Sequence, residues 1–327
     1  MDLTLVTGAP GWLGTRLVEH LHNKGRKVRC LVWKGVNRSV LEKSDVEFVE
    51  GDIRDKNSLN NIMKNVTAVF HCVGIIHPGK IRDLYEVNYE GTKNLLELAS
   101  KEKIKKFIYV SSNSPAGTNN NPSVLLKETD KPNPYKHYGK SKLLAEQAVS
   151  EYFQSGKLNT VIIRPCWFYG INQPERQTRF FRMIKSGKPI IFGDGENLRS
   201  MSYIDNIIQG LLLAEENDKA NGQIYWIADR RPYKTIEIYE TIAGLLGVKL
   251  TPKFIPKFAS NICELADDLL QFVGMYVTEF HVAGEMTKNI ACSIEKAEKE
   301  LGYKPEIELE EGMRRSIEWC RANGFEI

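Results

Sequence analysis

Leu3-Thr4-Leu5-Val6-Thr7-Gly8-Ala9-Pro10-Gly11-Trp12-Leu13-Gly14 decides the fold. Leu3–Thr7 is short and free of charge, as a strand covered on both faces is. Leu13, Leu17 and Leu21 then recur every four residues, which marks one side of a helix, and Val28–Val32 is a second apolar run. The three pieces read as a βαβ unit with glycines at its first turn. There, glycines permit a tight turn, close backbone approach to a pyrophosphate and close helix packing, and the helix N-terminus faces the phosphates. Gly8, Gly11 and Gly14, with Trp12 and Leu13 between them, are candidate dinucleotide-binding residues. The alternative is a glycine-bearing turn that binds nothing.

Outward from this unit the rhythm continues. Apolar runs follow at Val46–Val49, Ala68–His71, Phe107–Val110 and Val161–Arg164, with helical stretches expected at Leu59–Lys64, Asn88–Lys101 and Tyr138–Phe153. The pattern predicts an α/β fold, a Rossmann-type doubly wound parallel sheet with a smaller C-terminal substrate-binding domain. After Arg164-Pro165 the loops become rich in Gly, Pro and Asn and no second regular series appears. Residues 1–165 are therefore expected to bind the dinucleotide, and 166–200 with 229–327 to cap the substrate. The stretch 201–228 contains Tyr203–Ala214, helical in pattern, and Gln223–Ala228, strand-like, and is expected to return to the main sheet. The polar Ser114–Pro134 stretch reads as a long loop of the kind that forms a functional lid.

Composition excludes several classes. The 327 residues are 42% hydrophobic and 26% charged with a net charge of +4, ordinary for a globular protein and without a basic stripe for nucleic acid. Met1-Asp2-Leu3-Thr4-Leu5-Val6 has no basic segment ahead of an apolar run, and no stretch approaches the roughly 20 apolar residues of a membrane span. The expectation is a cytoplasmic protein with a small-molecule substrate and neither nucleic acid nor membrane as partner. Cys30, Cys72, Cys166, Cys263, Cys292 and Cys320 are scattered, without metal-ligand spacing, so neither disulfide nor metal is expected.

The second strand ends in Leu31-Val32-Trp33-Lys34-Gly35, where an acid would accept from a free adenosine ribose and repel a 2′-phosphate. No acid is present, and Lys34 and Arg38 follow Trp33, so NADP is favoured over NAD. The competing reading leaves both cations solvated. Asp52, after the third strand, can accept from the adenine amine, with Ile53 packed nearby.

Tyr138-Gly139-Lys140-Ser141-Lys142 opens a helix, and the four-residue step puts Tyr138 and Lys142 on one face. A phenol is a poor base at neutral pH, but an ammonium and a nicotinamide cation nearby favour the phenolate. Tyr109-Val110-Ser111-Ser112 ends a strand and presents a hydroxyl that can donate to a substrate oxygen as charge shifts, while Ser111 is expected to cap the strand. Asn88 can hold a water or bend its helix, or else serve as a plain N-cap.

These motifs resemble the extended short-chain dehydrogenase/reductases, the NAD-dependent epimerase/dehydratase family, over essentially the whole chain. The resemblance matches Gly8, Gly11 and Gly14 to the glycine turn, Tyr138 and Lys142 to the Tyr-x-x-x-Lys pair, and Ser112 to the upstream serine. It also matches Arg164-Pro165 with Tyr169-Gly170, Gly193-Asp194-Gly195 with Arg199 and Tyr203-Ile204-Asp205, and Lys296-Ala297 with Leu301-Gly302-Tyr303-Lys304-Pro305. It implies that Pro165 touches the cofactor, that Ser112, Asn113, Tyr138 and Arg199 touch substrate, and that Arg199 holds the diphosphate of a nucleotide-sugar. A salt bridge from Arg199 to Asp194 or Glu196 is the alternative. It further implies a homodimer packed through Asn88–Lys101 and Tyr138–Phe153.

The chain departs from the family at Ser112-Asn113-Ser114, where the 4,6-dehydratases carry Thr-Asp-Glu, so dehydration is disfavoured. Ser114-Pro115-Ala116-Gly117 and the Pro252–Met286 segment look more like the steroid-dehydrogenase and ketoreductase branch. The leading expectation is an oxidoreductase or epimerase acting on a nucleotide-sugar. A 3β-hydroxysteroid-dehydrogenase-like or ketone-reducing enzyme is the runner-up, and a dinucleotide-sensing regulator without turnover is the alternative of another class.

Overall fold

The computed structural model describes residues 3–42, 44–119, 121 and 123–327, so Met1 and Asp2 of the N-terminal reading lie outside the described residues. The first half alternates strand and helix: β1 (Leu3–Thr7), α1 (Trp12–Asn23), β2 (Lys27–Val32), β3 (Val46–Glu50), β4 (Val66–His71), α2 (Ile81–Tyr85), α3 (Gly91–Lys101), β5 (Lys106–Val110), α4 (Lys136–Gln154) and β6 (Thr160–Pro165). Then come β7 (Trp167–Tyr169), α5 (Glu175–Lys185), β8 (Ile190–Phe192), β9 (Leu198–Arg199), β10 (Met201–Tyr203), α6 (Ile204–Glu216) and β11 (Ile224–Ile227). The chain finishes with β12 (Tyr233–Lys234), α7 (Thr235–Leu246), β13 (Lys253–Ile255), α8 (Lys257–Phe272), α9 (Thr278–Glu285), α10 (Glu295–Leu301) and α11 (Leu309–Ala322).

Seven strands form one sheet in the order β11-β6-β5-β4-β1-β2-β3, every pair parallel. The order reverses between β1 and β4, and a crevice for a ligand opens beyond their C-terminal ends at such a switch point. Successive residues of each strand serve opposite layers. Leu5, Phe107, Tyr109 and Ile162 pack with α3 and α4, whereas Val6, Ile108, Val110 and Ile163 pack with α1 and α6. This is why the strands read as continuous apolar runs rather than alternating ones. β11 pairs with β6 from Ile224 opposite Ile162 to Ile227 opposite Pro165, so the chain does return to the sheet after its first excursion.

The smaller part is built from three two-stranded ribbons, β7 with β10, β8 with β13 and β9 with β12, and from α5, α7, α8 and α9. Its C-terminal stretch also leans on the sheet. The Tyr303 hydroxyl donates to the Ala228 carbonyl at 2.8 Å, and Lys296 Nζ donates to the Ile224 carbonyl at 3.1 Å.

One local expectation fails. Leu59–Lys64 is not an α-helix: a 3₁₀ turn over Lys56–Leu59 runs into turns where Asn61 and Asn65 take positive φ. The Arg29 guanidinium instead takes up the carbonyls of Ile62 and Lys64, each at 2.8 Å. The Ser114–Pro134 loop, whose Asn120 and Pro122 lie outside the described residues, is stitched down rather than free. Asn119 Nδ2 donates to the carbonyls of Val124 and Ala291 at 2.7 and 2.8 Å, and Leu126 N donates to Ala291 O at 2.8 Å.

Candidate active site

The glycine turn joins β1 to α1 with no space for side chains. Gly8 has φ +89°, and a Cβ there would stand 2.8 Å from the Cys72 carbonyl carbon at the end of β4. A Cβ on Gly14 would stand 2.5 Å from Gly8 O, so α1 presses directly on the turn. No side chain caps α1 and no acid lies in its first turn. Its free N–H groups and positive dipole end are therefore left for an anion, which fits a dinucleotide pyrophosphate. Trp12 and Leu13 would contribute there through their backbone. The Trp12 indole N–H is committed to the Ile171 carbonyl at 2.7 Å, and Leu13 is buried in the core.

The end of β2 carries the half-exposed Trp33, and beside it stands a cation that the sequence reading did not single out. The Arg54 guanidinium lies 5.1 Å from the Trp33 ring centroid and donates to Asp52, with Nη2 to Oδ2 at 2.6 Å. That bond holds the Asp52 carboxyl below its ordinary range. Lys34 is exposed, Arg38 stacks 4.9 Å from the Phe48 ring centroid, and Ile53 is buried against the start of α3.

Tyr138 and Lys142 sit in the first two turns of α4, which Gly139 lets approach the loop after β5. A Cβ on Gly139 would lie 2.6 Å from Ser114 O. Lys142 Nζ donates to the Val110 carbonyl at 2.8 Å and lies 4.3 Å from the Tyr109 ring centroid. Burial pushes the Lys142 ammonium down to about 7, against the pull of Glu146 and Cys72. Burial also pushes the Tyr138 phenol up to about 12, while a hydrogen bond with Ser112 pulls it back and the Glu285 carboxylate raises it further. Ser112 Oγ also reaches Asn113 Oδ1 at 3.3 Å, and Asn113 is buried. The Ser111 hydroxyl is buried without a partner, so it does not cap the strand as expected.

Asn88 is no N-cap. It lies inside a single π turn, Glu86–Glu90, that runs into α3. Its amide accepts from Ile75 N at 2.9 Å and donates to Ile75 O and Ser141 Oγ, each at 3.0 Å. Ser141 Oγ in turn donates to Tyr138 O at 2.8 Å, so Asn88 ties the loop after β4 to the turn of α4 that carries the tyrosine. Behind it, Thr7 Oγ1 bonds His71 Nδ1 at 2.7 Å, His71 Nε2 bonds Thr92 Oγ1 at 2.9 Å, and Thr92 Oγ1 donates to Asn88 O at 2.7 Å. Because Thr92 spends its proton on Asn88, His71 carries its own on Nε2 and accepts from Thr7 at Nδ1.

Across the crevice the smaller part supplies Arg199. It is 2% exposed, lies 4.5 Å from the Trp167 ring centroid and donates through Nη2 to Glu285 O at 2.6 Å. Nε and Nη1 have no hydrogen-bond partner, and the Glu285 carboxylate stays 3.9 Å from Nη1. Neither Asp194 nor Glu196 pairs with it; Glu196 is held by Lys234 at 2.6 Å. Burial lowers the Arg199 pKa, and Glu285 counters that. The same carboxylate thus acts on Tyr138 and Arg199 and stands between the two halves of the site. Beside Tyr135, at the start of α4, His281 Nδ1 bonds Asp267 Oδ2 at 2.9 Å, and the His281 ring lies 5.6 Å from that of Tyr135 and 5.3 Å from that of Tyr276. Glu285, His281, Asp267 and Tyr276 were not singled out from the sequence. Pro165 closes β6 on the same edge of the sheet.

Residues 4–228 match the model of the NAD-dependent epimerase/dehydratase family. The chain belongs to that family. It is thus an NAD(P)-dependent enzyme of the extended short-chain dehydrogenase/reductase type. An uncharacterized protein of Sinorhizobium fredii, y4nL, is 40% identical, covering 98% of this chain and 96% of its own length. Human short-chain dehydrogenase/reductase family 42E member 1 is 28% identical, covering 99% and 88%. UDP-glucose 4-epimerase of Vibrio cholerae is 26% identical, covering 96% and 94%. Among solved structures, UDP-glucuronic acid 4-epimerase from Bacillus cereus in complex with NAD superposes with a TM-score of 0.78 at 25% identity, covering 98% of this chain and 99% of that one.

Proposed function

We propose that this family member is an oxidoreductase or epimerase that acts in the cytoplasm on a hydroxyl or keto group of a nucleotide-sugar. The observation that carries the reading is the Arg199 guanidinium, buried with two nitrogens that no protein atom satisfies. Leaving such donors unpaired is costly, and a diphosphate answers both with charge-assisted bonds. The Vibrio cholerae and Bacillus cereus relatives, named as UDP-sugar epimerases, support the same substrate class.

In this reading Tyr138 takes the proton of the substrate hydroxyl, and Ser112 donates to the same oxygen as charge builds on it. Lys142, with one donor on Val110 O, has two left to hold the nicotinamide ribose and to stabilise the phenolate. A bound nicotinamide, its ribose held by Lys142, would supply a hydride acceptor for the substrate carbon; hydride return to the opposite face would make the net reaction an epimerisation, and release of the keto sugar a net oxidation.

For the dinucleotide we favour NADP. No acid follows β2 in the chain, the nearby Asp52 carboxylate is already taken by Arg54, and Lys34 and Arg38, with Arg54 beside Trp33, can meet a 2′-phosphate. A homodimer through α3 and α4 completes the proposal. The runner-up, a hydroxysteroid-dehydrogenase-like or ketone-reducing enzyme, is favoured by the aromatic cluster of Tyr135, Tyr276 and His281 at the start of α4. Melting curves separate the two, because a ligand of the folded state raises the melting temperature by mass action. A rise with UDP- or dTDP-sugars supports the proposal; a rise with sterols or aryl ketones alone supports the runner-up.

A further inference from the structure

Helix α8 exposes the large apolar side chains of Phe258, Ile262, Leu265, Leu269 and Phe272, between 60% and 88% accessible. Their steps of four, three, four and three residues place them along one side of the helix. The opposite side is committed to the fold. Ser260 Oγ donates to Ala283 O at 2.7 Å, Asp267 holds His281, and a Cβ on Gly284 would lie 3.0 Å from Glu264 Cα. The outward side therefore cannot turn inward, and a contiguous apolar stripe of this kind marks an interaction surface.

Charge indicates what covers it. Lys188, Lys249, Lys253 and Lys257 are all exposed on or beside the ribbon that leads into α8, and none forms an ion pair among the described residues. Thr251 N donates to Gly187 O and Lys253 N to Pro189 O, each at 2.8 Å, which holds these lysines in one patch next to Phe254 and Phe258. The acids of α8 are already taken: Glu264 by Lys288 at 2.7 Å, Asp268 by Lys136, and Asp267 by His281 and Gln271. An apolar stripe ending in uncompensated lysines complements an anionic lipid surface, with the side chains in the acyl boundary and the ammonium groups among the phosphates. A second copy of the chain suits it less well. A helix of 16 residues is about 24 Å long, so a stripe about 10 Å wide offers a few hundred Å², against roughly 800 Å² per partner in a stable interface.

We propose that α8 lies in the interface plane of a membrane containing anionic lipids and seats the enzyme on it peripherally. No helix among the described residues is long and apolar enough to cross a bilayer, so the attachment is reversible and salt-sensitive. Just beyond the C-terminal end of α8, Tyr276 Oη bonds His77 Nδ1 at 3.0 Å, so docking brings this side of the site to the membrane.

Flotation of the full chain with vesicles tests the proposal. The protein is expected to float with phosphatidylcholine vesicles that contain phosphatidylglycerol, to stay behind with phosphatidylcholine alone, and to be released by high salt. Leu265→Glu with Leu269→Glu should abolish flotation while dinucleotide affinity, which reports the fold, is kept. Lys253→Glu with Lys257→Glu should weaken binding about tenfold or more. Failure to float with either vesicle, or equal binding to both, overturns the proposal. So does a wild type that sediments as a larger oligomer than Leu265→Glu/Leu269→Glu, since the stripe would then be a protein interface.

Discussion

Lys142 reaches the Val110 carbonyl with an N–O distance of 2.8 Å, which pins the ammonium between the end of β5 and the tyrosine one turn earlier on α4. Its burial lowers its pKa to about 7, so the folded protein gives up a proton that the unfolded chain keeps. The cost is greatest below pH 7 and fades as the pH rises toward the ordinary lysine value. Lys142→Met is therefore expected to lose turnover and dinucleotide affinity together, yet to stabilise the ligand-free protein at pH 6 by about 1–2 kcal/mol. Melting curves and cofactor titrations check both halves. Tyr138→Phe should abolish turnover and leave cofactor affinity nearly intact, and a rate within tenfold of wild type would contradict its role.

Ser112 is the hydrogen-bonding group that draws the Tyr138 phenol down against burial. In alcohol oxidation the phenolate is the working form, so kcat/KM should rise with pH. Ser112→Ala should move that rise to higher pH and lower the rate at pH 7 by roughly 10²-fold. An unshifted profile would mean that another group sets the phenol.

Arg54, stacked on Trp33, shapes the adenosine end. NADP should bind more tightly than NAD, and Arg54→Ala should erase much of that preference at low salt. Titrations of both dinucleotides at two salt concentrations decide this. Equal or reversed affinities in the wild type would leave Lys34, Arg38 and Arg54 as surface cations.

Asp229 follows β11 and is buried beneath Tyr169, whose hydroxyl donates to it at 2.6 Å. Burial raises its pKa to about 7 in spite of the bonds from Tyr169, Tyr203 and Asn206. The fold thus holds a proton that the unfolded chain has already lost. Stability from this group is present at low pH and is lost as the pH rises through the window from about 4 to 7. Asp229→Asn should flatten the fall in melting temperature between pH 5 and pH 8.

The parts of the site readable from sequence are those set by neighbours along the chain. Gly11 and Gly14 are required by contacts inside one turn and Gly8 by its positive φ as well as its approach to β4, and Tyr138 with Lys142 needs only helical spacing. Asn88 was found, and of its readings only the plain N-cap fails, because a π turn has no distinct local signature. Leu59–Lys64 looked helical because its apolar spacing outweighed Asn61 and Asn65, whose positive φ ends any helix there. Arg54 gains meaning only where the ends of β2 and β3 meet. Glu285 acts on Tyr138 from α9, and His281 with Asp267 reaches Tyr135 from α9 and α8, more than a hundred residues away, through packing that no local pattern announces.

The central claim is that Arg199 is the diphosphate anchor of a nucleotide-sugar site. Steady-state kinetics of Arg199→Ala on UDP-sugars, set beside its dinucleotide affinity, tests it most directly. The expected result is an apparent KM raised about tenfold or more with cofactor binding unchanged, as loss of a charge-assisted phosphate contact requires. A wild type that ignores every nucleotide-sugar and turns over apolar alcohols or ketones, with Arg199→Ala neutral, would contradict it.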